Sequence, residues 1–306
     1  MHERVITPST VLMVKPFDFG FSKESAESNA FQANTIPPNE AKILAIEEYE
    51  KAIKEIRLEG IEVISFEEKS AIPLQDAVFP NNWVGFHPGG KVILYPMTHE
   101  NRRKEKNPRV LELVEEKGHR IKKRRNLSSF EKKGKFLEGT GSMVIDYKAR
   151  IAYACISPRT DIGLLNEVCD GLGLEAMSFH SNDLKGNAIY HTNVMMAITE
   201  KLAIICMDSI DNFMEKNIIK QSLISSGLEL MSISYKQMTS FCGNVFEVKN
   251  KEGKSFLICS ETAWNAFNPA QQEKIRLYHT PLPIAIPTIE TLGGGSARCM
   301  VAGVYF

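Results

Sequence analysis

A cysteine, a histidine and a glutamate in this 306-residue chain each stand beside a strand-like segment. Cys299 follows the run Gly293-Gly294-Gly295-Ser296-Ala297-Arg298, Glu138 lies in Leu137-Glu138-Gly139, and His191 lies in Tyr190-His191-Thr192-Asn193. A thiol that attacks a carbon centre needs an imidazole to move protons and a carboxylate to orient that imidazole. These residue types therefore indicate a hydrolase or transferase with a cysteine nucleophile.

The segments that must position these residues form a repeat. Four pairs of strand-like runs each flank a short turn, and a segment with helical spacing follows each pair. The pairs are 78–86 with 91–97, 142–145 with 151–156, 194–198 with 202–206, and 245–248 with 255–259. The helices are predicted at 103–117, 161–172, 212–226 and 269–277. The pattern predicts a ββαβ unit that recurs along the chain.

The two ends of the chain resemble halves of a fifth unit. Residues 299–306 predict a last strand, 9–14 a first strand, and 38–60 a helix that leads into a strand at 61–66. Pairing of the ends would close a ring and remove exposed sheet edges. We predict one α/β domain over residues 1–306, a closed five-bladed α/β propeller. An open α/β sheet is the alternative, but the GxGxxG loop that would support it is absent from the sequence.

The candidate chemical residues fall at equivalent places in these units. Asn81 and Asn82, Glu138, the 191–193 run and Cys299 all lie at or just before the first strand of a hairpin. In a ring those strand starts meet near the axis. The repeat therefore predicts that residues far apart in sequence converge on one pocket.

Composition favours a globular protein with a small ligand. Apolar residues make up 43% of the chain, and 37 Lys and Arg balance 37 Asp and Glu, so no net field attracts nucleic acid or an anionic membrane. No apolar run reaches the roughly 20 residues of a bilayer span, and residues 1–5 contain no apolar leader, so we expect a cytoplasmic protein. The basic segment 117–135 fits a solvated strand edge. The six cysteines lack CxxC spacing; we expect them reduced, with no metal and no cofactor.

The Glu138, His191–Asn193 and Gly293–Cys299 motifs, taken in order, resemble the superfamily of arginine deiminases, dimethylarginine hydrolases and amidinotransferases. The resemblance covers nearly the whole chain and implies a five-bladed α/β propeller. It implies Cys299 as nucleophile, His191 as general acid and base, and Glu138 as the carboxylate that holds the histidine. One departure is that the usual Gly-Gly-Gly-x-His-Cys is here Gly-Gly-Gly-Ser-Ala-Arg-Cys, which leaves the role of Arg298 open.

The same resemblance implies a substrate with an amino-acid end. The run at 75–82 is similar to the dimethylarginine hydrolase segment that supplies an aspartate, so Asp76 would bind the α-ammonium group. Arg102 or Arg103, together with Arg159, match the two arginines that bind the α-carboxylate. Asn81, in the same run, is also predicted to belong to the substrate site.

Asn82 and Asn193 stand where relatives that bind a cationic substrate have carboxylates. Relatives that act on a guanidinium have a carboxylate at the position of Asn82, and deiminases have another at Asn193. A guanidinium offers only donors and a positive charge, whereas a ureido group is neutral and offers a carbonyl acceptor that an Asn can complement. The amides favour citrulline, hydrolysed to ornithine, ammonia and carbon dioxide through a thiocarbamate on Cys299.

Two alternatives stay open. The first is an arginine deiminase or dimethylarginine hydrolase that acts on a guanidino substrate. The second is a non-catalytic binding module on the same fold. The expected partner is a small citrulline-like amino acid, without nucleic acid or membrane, and homo-oligomerisation stays open. Cys242 occupies the corresponding point of the fourth unit, where we interpret it as part of a structural turn.

Overall fold

A computed structural model of the chain describes residues 6–29 and 31–306. The prediction for residues 1–5 lies outside the described part. Within the described ranges, helices that combine the length and the apolar character needed to cross a bilayer are absent.

Fifteen strands and twelve α-helices are assigned in the described ranges. The strands are β1 Thr10–Val14, β2 Glu62–Phe66, β3 Val84–His87, β4 Lys91–Leu94, β5 Lys123–Asn126, β6 Val144–Asp146, β7 Ile151–Cys155, β8 Glu175–Phe179, β9 Met196–Ile198, β10 Leu202–Ile205, β11 Glu229–Ser232, β12 Phe246–Lys249, β13 Ser255–Ser260, β14 Thr280–Ile284 and β15 Ala302–Val304. The helices are α1 Lys23–Ala26, α2 Pro38–Leu58, α3 Glu100–Arg103, α4 Arg109–Glu116, α5 Gly139–Ser142, α6 Ile162–Leu172, α7 Thr192–Met195, α8 Phe213–Ser225, α9 Tyr235–Thr239, α10 Glu261–Ala266, α11 Pro269–Tyr278 and α12 Pro287–Gly293. Short 3₁₀ turns lie at Pro80–Asn82, Ser128–Lys133 and Met207–Ser209.

Each unit contains an antiparallel strand pair and a third strand that joins it in parallel. This arrangement holds for β3-β4-β5, β6-β7-β8, β9-β10-β11 and β12-β13-β14. The ends of the chain supply the fifth copy, because β15 pairs antiparallel with β1 and β1 pairs parallel with β2. A single parallel bridge between Val304 and Phe86 joins the fifth unit to the first in one six-stranded sheet.

The long helices bury one apolar face against these sheets. In α2 the buried residues recur at helical spacing, and Pro38 occupies the first turn, where its missing N–H costs no intrahelical bond. They are Ala41, Ala45, Tyr49, Ala52, Ile53 and Ile56. Asp161 caps α6 by accepting from the Leu164 N–H, and Asn212 caps α8 in the same way. The helices of the units therefore begin close to where the sequence predicts them.

Three predicted elements have different bounds. The strand predicted at 78–86 begins only at Val84, because Pro80 starts a 3₁₀ turn. The helix predicted at 103–117 is split into α3 and α4, since Pro108 cannot donate to a continuous helix and disfavours helical geometry in the residue before it. The last strand is only Ala302–Val304, and Cys299 lies in the turn that precedes it.

Candidate active site

The turns that lead into the first strands of the five units all contribute to one site. Asn82 ends the 3₁₀ turn before β3, Glu138 precedes the short helix α5 before β6, and His191 precedes α7 before β9. Asn244 lies in the turn before β12, and Cys299 in the turn before β15. Asn82, His191 and Cys299 line one cavity, while Glu138 contacts His191 and Asn244 contacts Cys299.

Glu138 and His191 form a buried hydrogen-bonded pair. Glu138 Oε2 lies 2.9 Å from His191 Nε2, and Glu138 Oε1 accepts from the Thr98 N–H at 2.9 Å. Burial would raise the pKa of Glu138, but Arg159 and His191 outweigh it and hold that pKa well below its usual range. Burial also lowers the pKa of His191 to about 4, although Glu138 opposes this. At neutral pH the pair is therefore a carboxylate and a neutral imidazole whose Nε2 carries the proton.

The glycine run before Cys299 is shaped by close packing. A Cβ on Gly293 would lie 2.7 Å from the Phe79 ring, and Gly294 ends α12 in the left-handed region with φ +61°. Ser296 Oγ then donates to Glu290 Oε1 at 2.6 Å, and the Cys299 N–H donates to Ser296 O at 2.9 Å. The cysteine is thus held at the end of a fixed turn and is only 4% exposed.

Two amide groups contact the sulfur of Cys299. Asn244 Nδ2 lies 3.2 Å from Sγ, and Asn193 Nδ2 lies 3.6 Å from it. Asn244 Nδ2 also donates to the backbone oxygen of Asn193 at 2.9 Å. Asn193, which the sequence predicts to contact the substrate, has its amide at the sulfur and is not among the residues that line the cavity.

Arg102 fixes the orientation of the Asn82 amide. Its Nη1 donates to Asn82 Oδ1 at 2.7 Å, and its Nε and Nη2 donate to the two oxygens of Glu105 at 3.0 and 2.9 Å. Nη2 also donates to Phe79 O at 3.2 Å. Asn82 Nδ2 is buried and has no hydrogen-bond partner among residues 6–29 and 31–306. The free end of this amide is therefore a donor.

Gly141 leaves the space in which Asn82 and His191 approach each other. A Cβ at Gly141 would lie 2.5 Å from Asn82 Nδ2 and 2.8 Å from His191 Nδ1, too close for any side chain. The unpaired amide donor and the unprotonated ring nitrogen therefore flank the same point.

Asp76 and Arg159 both contact the segment around α1. Asp76 Oδ2 accepts from Ser25 Oγ at 2.5 Å, while its Oδ1 is buried and unpaired within the described residues. Arg159 donates to Ser28 Oγ at 2.7 Å, contacts Glu138 Oε2 at 3.5 Å and stacks on the Tyr190 ring at 4.8 Å. The α1 segment thus covers both residues.

These groups line a small cavity that is partly open to solvent. The predicted residues on its wall are Asp76, Asn82, Arg102, Arg159, His191 and Cys299. The wall also contains residues that the sequence motifs do not indicate, namely Ser25, Asn29, Gln32, Phe79 and Tyr190. Asn29 and Gln32 donate to the backbone oxygen of Gly293, so the covering segment is bonded directly to the glycine turn.

Three predicted residues do not line the cavity. Asn81 is the middle residue of the 3₁₀ turn and is completely buried, and Arg103 donates outside the cavity to Met97 O at 3.0 Å and Thr98 O at 2.8 Å. Asn193, as noted above, faces the sulfur instead. Of the two candidate arginines, Arg102 is therefore the one at the site.

The structure shows what surrounds Arg298 and Cys242, whose roles the sequence leaves open. Arg298 stacks on the Phe246 ring at 4.5 Å and donates to Val301 O at 2.9 Å, so its guanidinium is directed away from the cavity wall. Cys242 Sγ donates to Ala263 O, and burial raises the pKa of this thiol to about 12. It belongs to a structural turn, as the sequence indicates. The missed residue in that turn is Asn244, which the unit repeat could have identified.

The described residues contain no cluster of three or more His, Cys, Asp and Glu side chains arranged to hold a metal ion. The arrangement around the cavity is instead that of a cysteine-dependent hydrolase: a thiol held by two amides, a neutral imidazole and an orienting carboxylate. This class agrees with the comparison against protein families.

A model of eukaryotic N,N-dimethylarginine dimethylhydrolases matches residues 15–306. The chain belongs to this family, within the pentein superfamily, and is a hydrolase that acts on C–N bonds. No curated protein matches the chain by sequence.

Solved structures match the fold along almost the whole chain. The N-terminal domain of ArgZ, an arginine dihydrolase from cyanobacteria, aligns with a TM-score of 0.74 at 17% identity and covers 96% of this chain and 97% of that domain. AgrE, solved with ornithine and NAD⁺, aligns at 0.73 and 18% identity, covering 96% of this chain and 39% of AgrE. The dimethylarginine hydrolase of Pseudomonas aeruginosa, solved as a cysteine-to-serine mutant with citrulline, aligns at 0.64 and 13% identity, covering 97% and 99%. The mixed α/β fold is that of the penteins.

Proposed function

We propose that this protein hydrolyses citrulline to ornithine, ammonia and carbon dioxide. The observation that supports this most directly is the orientation of Asn82. Its Oδ1 is held by Arg102 at 2.7 Å, and its unpaired Nδ2 lies beside Gly141, next to His191, in a residue that lines the cavity. The amide assignment follows from this contact, since the Arg102 N–H requires an acceptor opposite it.

A donor at this point discriminates between the two substrate types. The ureido oxygen of citrulline accepts a hydrogen bond from Asn82 Nδ2 and gains negative charge when the ureido carbon is attacked. A guanidinium has only N–H groups, so one of its donors would face another donor across a buried gap. A carboxylate at position 82 would reverse this preference.

The amino-acid end of the substrate is assigned to the groups below α1. Asp76 Oδ1 and Gln32 Oε1 are buried acceptors without partners in the described chain, which suits an α-ammonium group. Arg159 lines the same wall and is assigned the α-carboxylate. Arg102 has at most one N–H left after its contacts with Asn82, Glu105 and Phe79, so its role changes from the predicted carboxylate ligand to the residue that orients Asn82.

The proposed reaction begins with transfer of the Cys299 proton to His191 Nδ1, since His191 is neutral and Nε2 is bound to Glu138. Sulfur attacks the ureido carbon, and the imidazolium gives its proton to the departing nitrogen. Water then attacks the thiocarbamate while His191 accepts a proton and returns it to the leaving sulfur. The carbamic acid released breaks down to carbon dioxide and an amine.

A guanidino substrate is the second candidate, because the matching family model describes dimethylarginine hydrolases. The structural neighbours offer support to both candidates: ArgZ is an arginine dihydrolase, and the Pseudomonas aeruginosa enzyme was solved with citrulline. The amide at position 82 favours the ureido substrate. The non-catalytic alternative falls away, since the family consists of hydrolases.

We also propose that the five units close into a single-domain propeller around the site. Pairing of β15 with β1 supports closure, as does the convergence of five entry turns, one from each unit, on Cys299 and its neighbours.

Product analysis with purified protein tests the substrate. Citrulline, arginine and asymmetric dimethylarginine are each incubated with the enzyme and with Cys299→Ser, and ammonia, ornithine, citrulline and dimethylamine are measured. We expect ornithine and ammonia in equal amounts from citrulline, and nothing from the variant. Citrulline formed from arginine or dimethylarginine, without ornithine from citrulline, would refute the proposal in favour of the second candidate.

A further inference from the structure

Asn244 lies where a thiolate-binding group would be expected, although the sequence motifs of the site do not include it. Its Nδ2 bears two protons, and both have acceptors: the backbone oxygen of Asn193 at 2.9 Å and Cys299 Sγ at 3.2 Å. Because both neighbours are acceptors, the nitrogen end of the amide must face them. The amide therefore donates to the sulfur by virtue of its surroundings.

The backbone holds this amide in place from two directions. A Cβ on Gly243 would lie only 2.4 Å from Val194 O, so the turn of the fourth unit packs directly on that of the third. The Arg298 N–H donates to Asn244 O at 3.4 Å, which ties the same turn to the residue before Cys299. The distance from Asn244 to the sulfur is thus set by three units together.

The oxygen end of the Asn244 amide has no hydrogen-bond partner in the described chain. Asn244 Oδ1 is buried and has no hydrogen-bond partner among the described residues. A buried polar atom left unpaired is unfavourable, and a purely structural residue at this position would be expected to satisfy both ends. The unfavourable burial of Oδ1 is explained if Nδ2 of the same amide has a function at the Cys299 sulfur.

The histidine does not fill that function in the free enzyme. His191 Nε2 is bound to Glu138, and burial lowers the pKa of His191 to about 4, so the ring is uncharged at neutral pH. Within the described chain, the hydrogen bonds to Cys299 Sγ come from Asn244 and Asn193 and not from His191. A negative charge on the sulfur would therefore be stabilised by neutral amide donors.

We propose that Asn244 is a further catalytic residue, whose amide N–H donates to Cys299 Sγ and stabilises the thiolate before it attacks. Asn193 is the second, longer donor of the same pair. The proposal deepens the proposed function, because it rests on Cys299 as nucleophile, but it does not depend on which substrate is hydrolysed. Hydrogen bonds to a charged group are stronger than those between neutral groups, so the thiolate benefits more than the thiol.

The pH dependence of alkylation measures this effect without a substrate. Iodoacetamide reacts with the thiolate, and the Cys299 peptide is quantified by mass spectrometry between pH 5 and pH 10 for wild type, Asn244→Ala, Asn244→Asp and Cys242→Ala. Two other titratable groups interact electrostatically with Cys299, namely Arg298 and Tyr190, and with His191 on the cavity wall they are common to all four proteins. Differences between the profiles then report on position 244.

We expect Asn244→Ala to raise the midpoint of the alkylation profile by about one pH unit or more, and so to slow the reaction about tenfold below that midpoint, with an unchanged plateau at high pH. Asn244→Asp has nearly the same shape and should raise the midpoint further, because a carboxylate repels the thiolate. Cys242→Ala alters the same turn without touching the sulfur and should retain the wild-type midpoint. Alkylation of the buried Cys155, whose pKa is raised to about 12 by burial, identifies any unfolded protein.

Unchanged midpoints in both Asn244 variants would overturn the proposal, and an equal shift in Cys242→Ala would assign the effect to the turn. Citrulline turnover is measured in parallel. Absence of turnover in a wild type whose alkylation still depends on Asn244 would refute only the substrate, whereas turnover with unshifted midpoints would refute only the role of Asn244.

Discussion

Replacing Asn82 tests the specificity argument at a single atom. In Asn82→Asp one carboxylate oxygen replaces Oδ1 and keeps the 2.7 Å contact with Arg102, now as an ion pair. The other oxygen replaces the unpaired Nδ2, so an acceptor takes the place of the donor that we propose for the ureido oxygen. In Asn82→Ala the donor is lost, but no charge is added. The two variants therefore separate a missing hydrogen bond from a repulsive contact.

The structure sets the expected magnitudes. Loss of a hydrogen bond to an oxygen that becomes negative in the transition state costs about 1.5–3 kcal/mol, or roughly 10- to 150-fold in kcat/KM. Two buried acceptors facing each other add about 1–3 kcal/mol, more where one is charged. Asn82→Ala should therefore lose about one to two orders of magnitude with citrulline, and Asn82→Asp about two to four. Arginine should inhibit Asn82→Asp more strongly than it inhibits wild type.

The assay is steady-state release of ornithine and ammonia from citrulline, with arginine as competitor. Asn126→Asp is the matched control, since it makes the same change of charge at an exposed amide whose Oδ1 accepts from the Ser128 N–H. It should retain wild-type kinetics. Equal losses in Asn82→Ala and Asn82→Asp, or no gain in arginine binding, would show that the donor at position 82 does not select the ureido group.

Three further results are expected. Arg102→Lys should lower kcat/KM for citrulline about tenfold or more, because a single ammonium cannot hold both Asn82 and Glu105, while Arg103→Lys should have little effect; equal losses would refute the assignment. If neutral His191 accepts the thiol proton, kcat/KM should remain level on acidification and decline only near pH 4, since protonated imidazole cannot act as base; a decline near 6.5 would contradict this. Burial lowers the pKa of His87 to about 3, so below pH 6.5 this side chain takes up a proton in the unfolded chain and not in the folded one, and the folded state loses stability. Between pH 7.5 and pH 5, the free energy of unfolding measured with denaturant should therefore fall by about 2 kcal/mol less in His87→Gln than in wild type. Equal losses in the two proteins would exclude His87 as the cause.

The unit repeat made much of the fold and site predictable. Strands and helices could be placed because each unit repeats its turn chemistry and helical spacing, and Cys299, His191 and Glu138 precede strands at matching points. The same reasoning extends to Asn244, which holds that position in the fourth unit. The thiol of Cys242, two residues earlier, is the more conspicuous candidate in that turn, and this is why the sequence does not single out Asn244.

The other features of the site could not be predicted from the repeat, because they depend on how neighbouring segments pack. Arg102 and Arg103 are adjacent, and only the orientation of the four-residue helix α3 decides that Arg102 is 2% exposed and faces Asn82. Asn193 turns to the sulfur because the turns of the third and fourth units contact each other at Gly243. The α1 segment comes before the first complete unit, so its contacts with Asp76 and Arg159 have no counterpart from which to infer them.

The carboxylates around the cavity already have partners, and this limits the charge that a substrate can bring. Glu138 is bound to His191 and lies 3.5 Å from Arg159, and Glu105 is paired with Arg102. Asp76 is left for the α-ammonium group. A guanidinium would therefore enter a buried site where no described carboxylate remains to balance it, and an unpaired charge is costly in such surroundings. Citrulline brings a neutral side chain and a zwitterionic end, so its transfer into the cavity leaves the net charge unchanged. The preference that we propose for an uncharged substrate thus rests on which carboxylates are occupied as well as on the amide of Asn82.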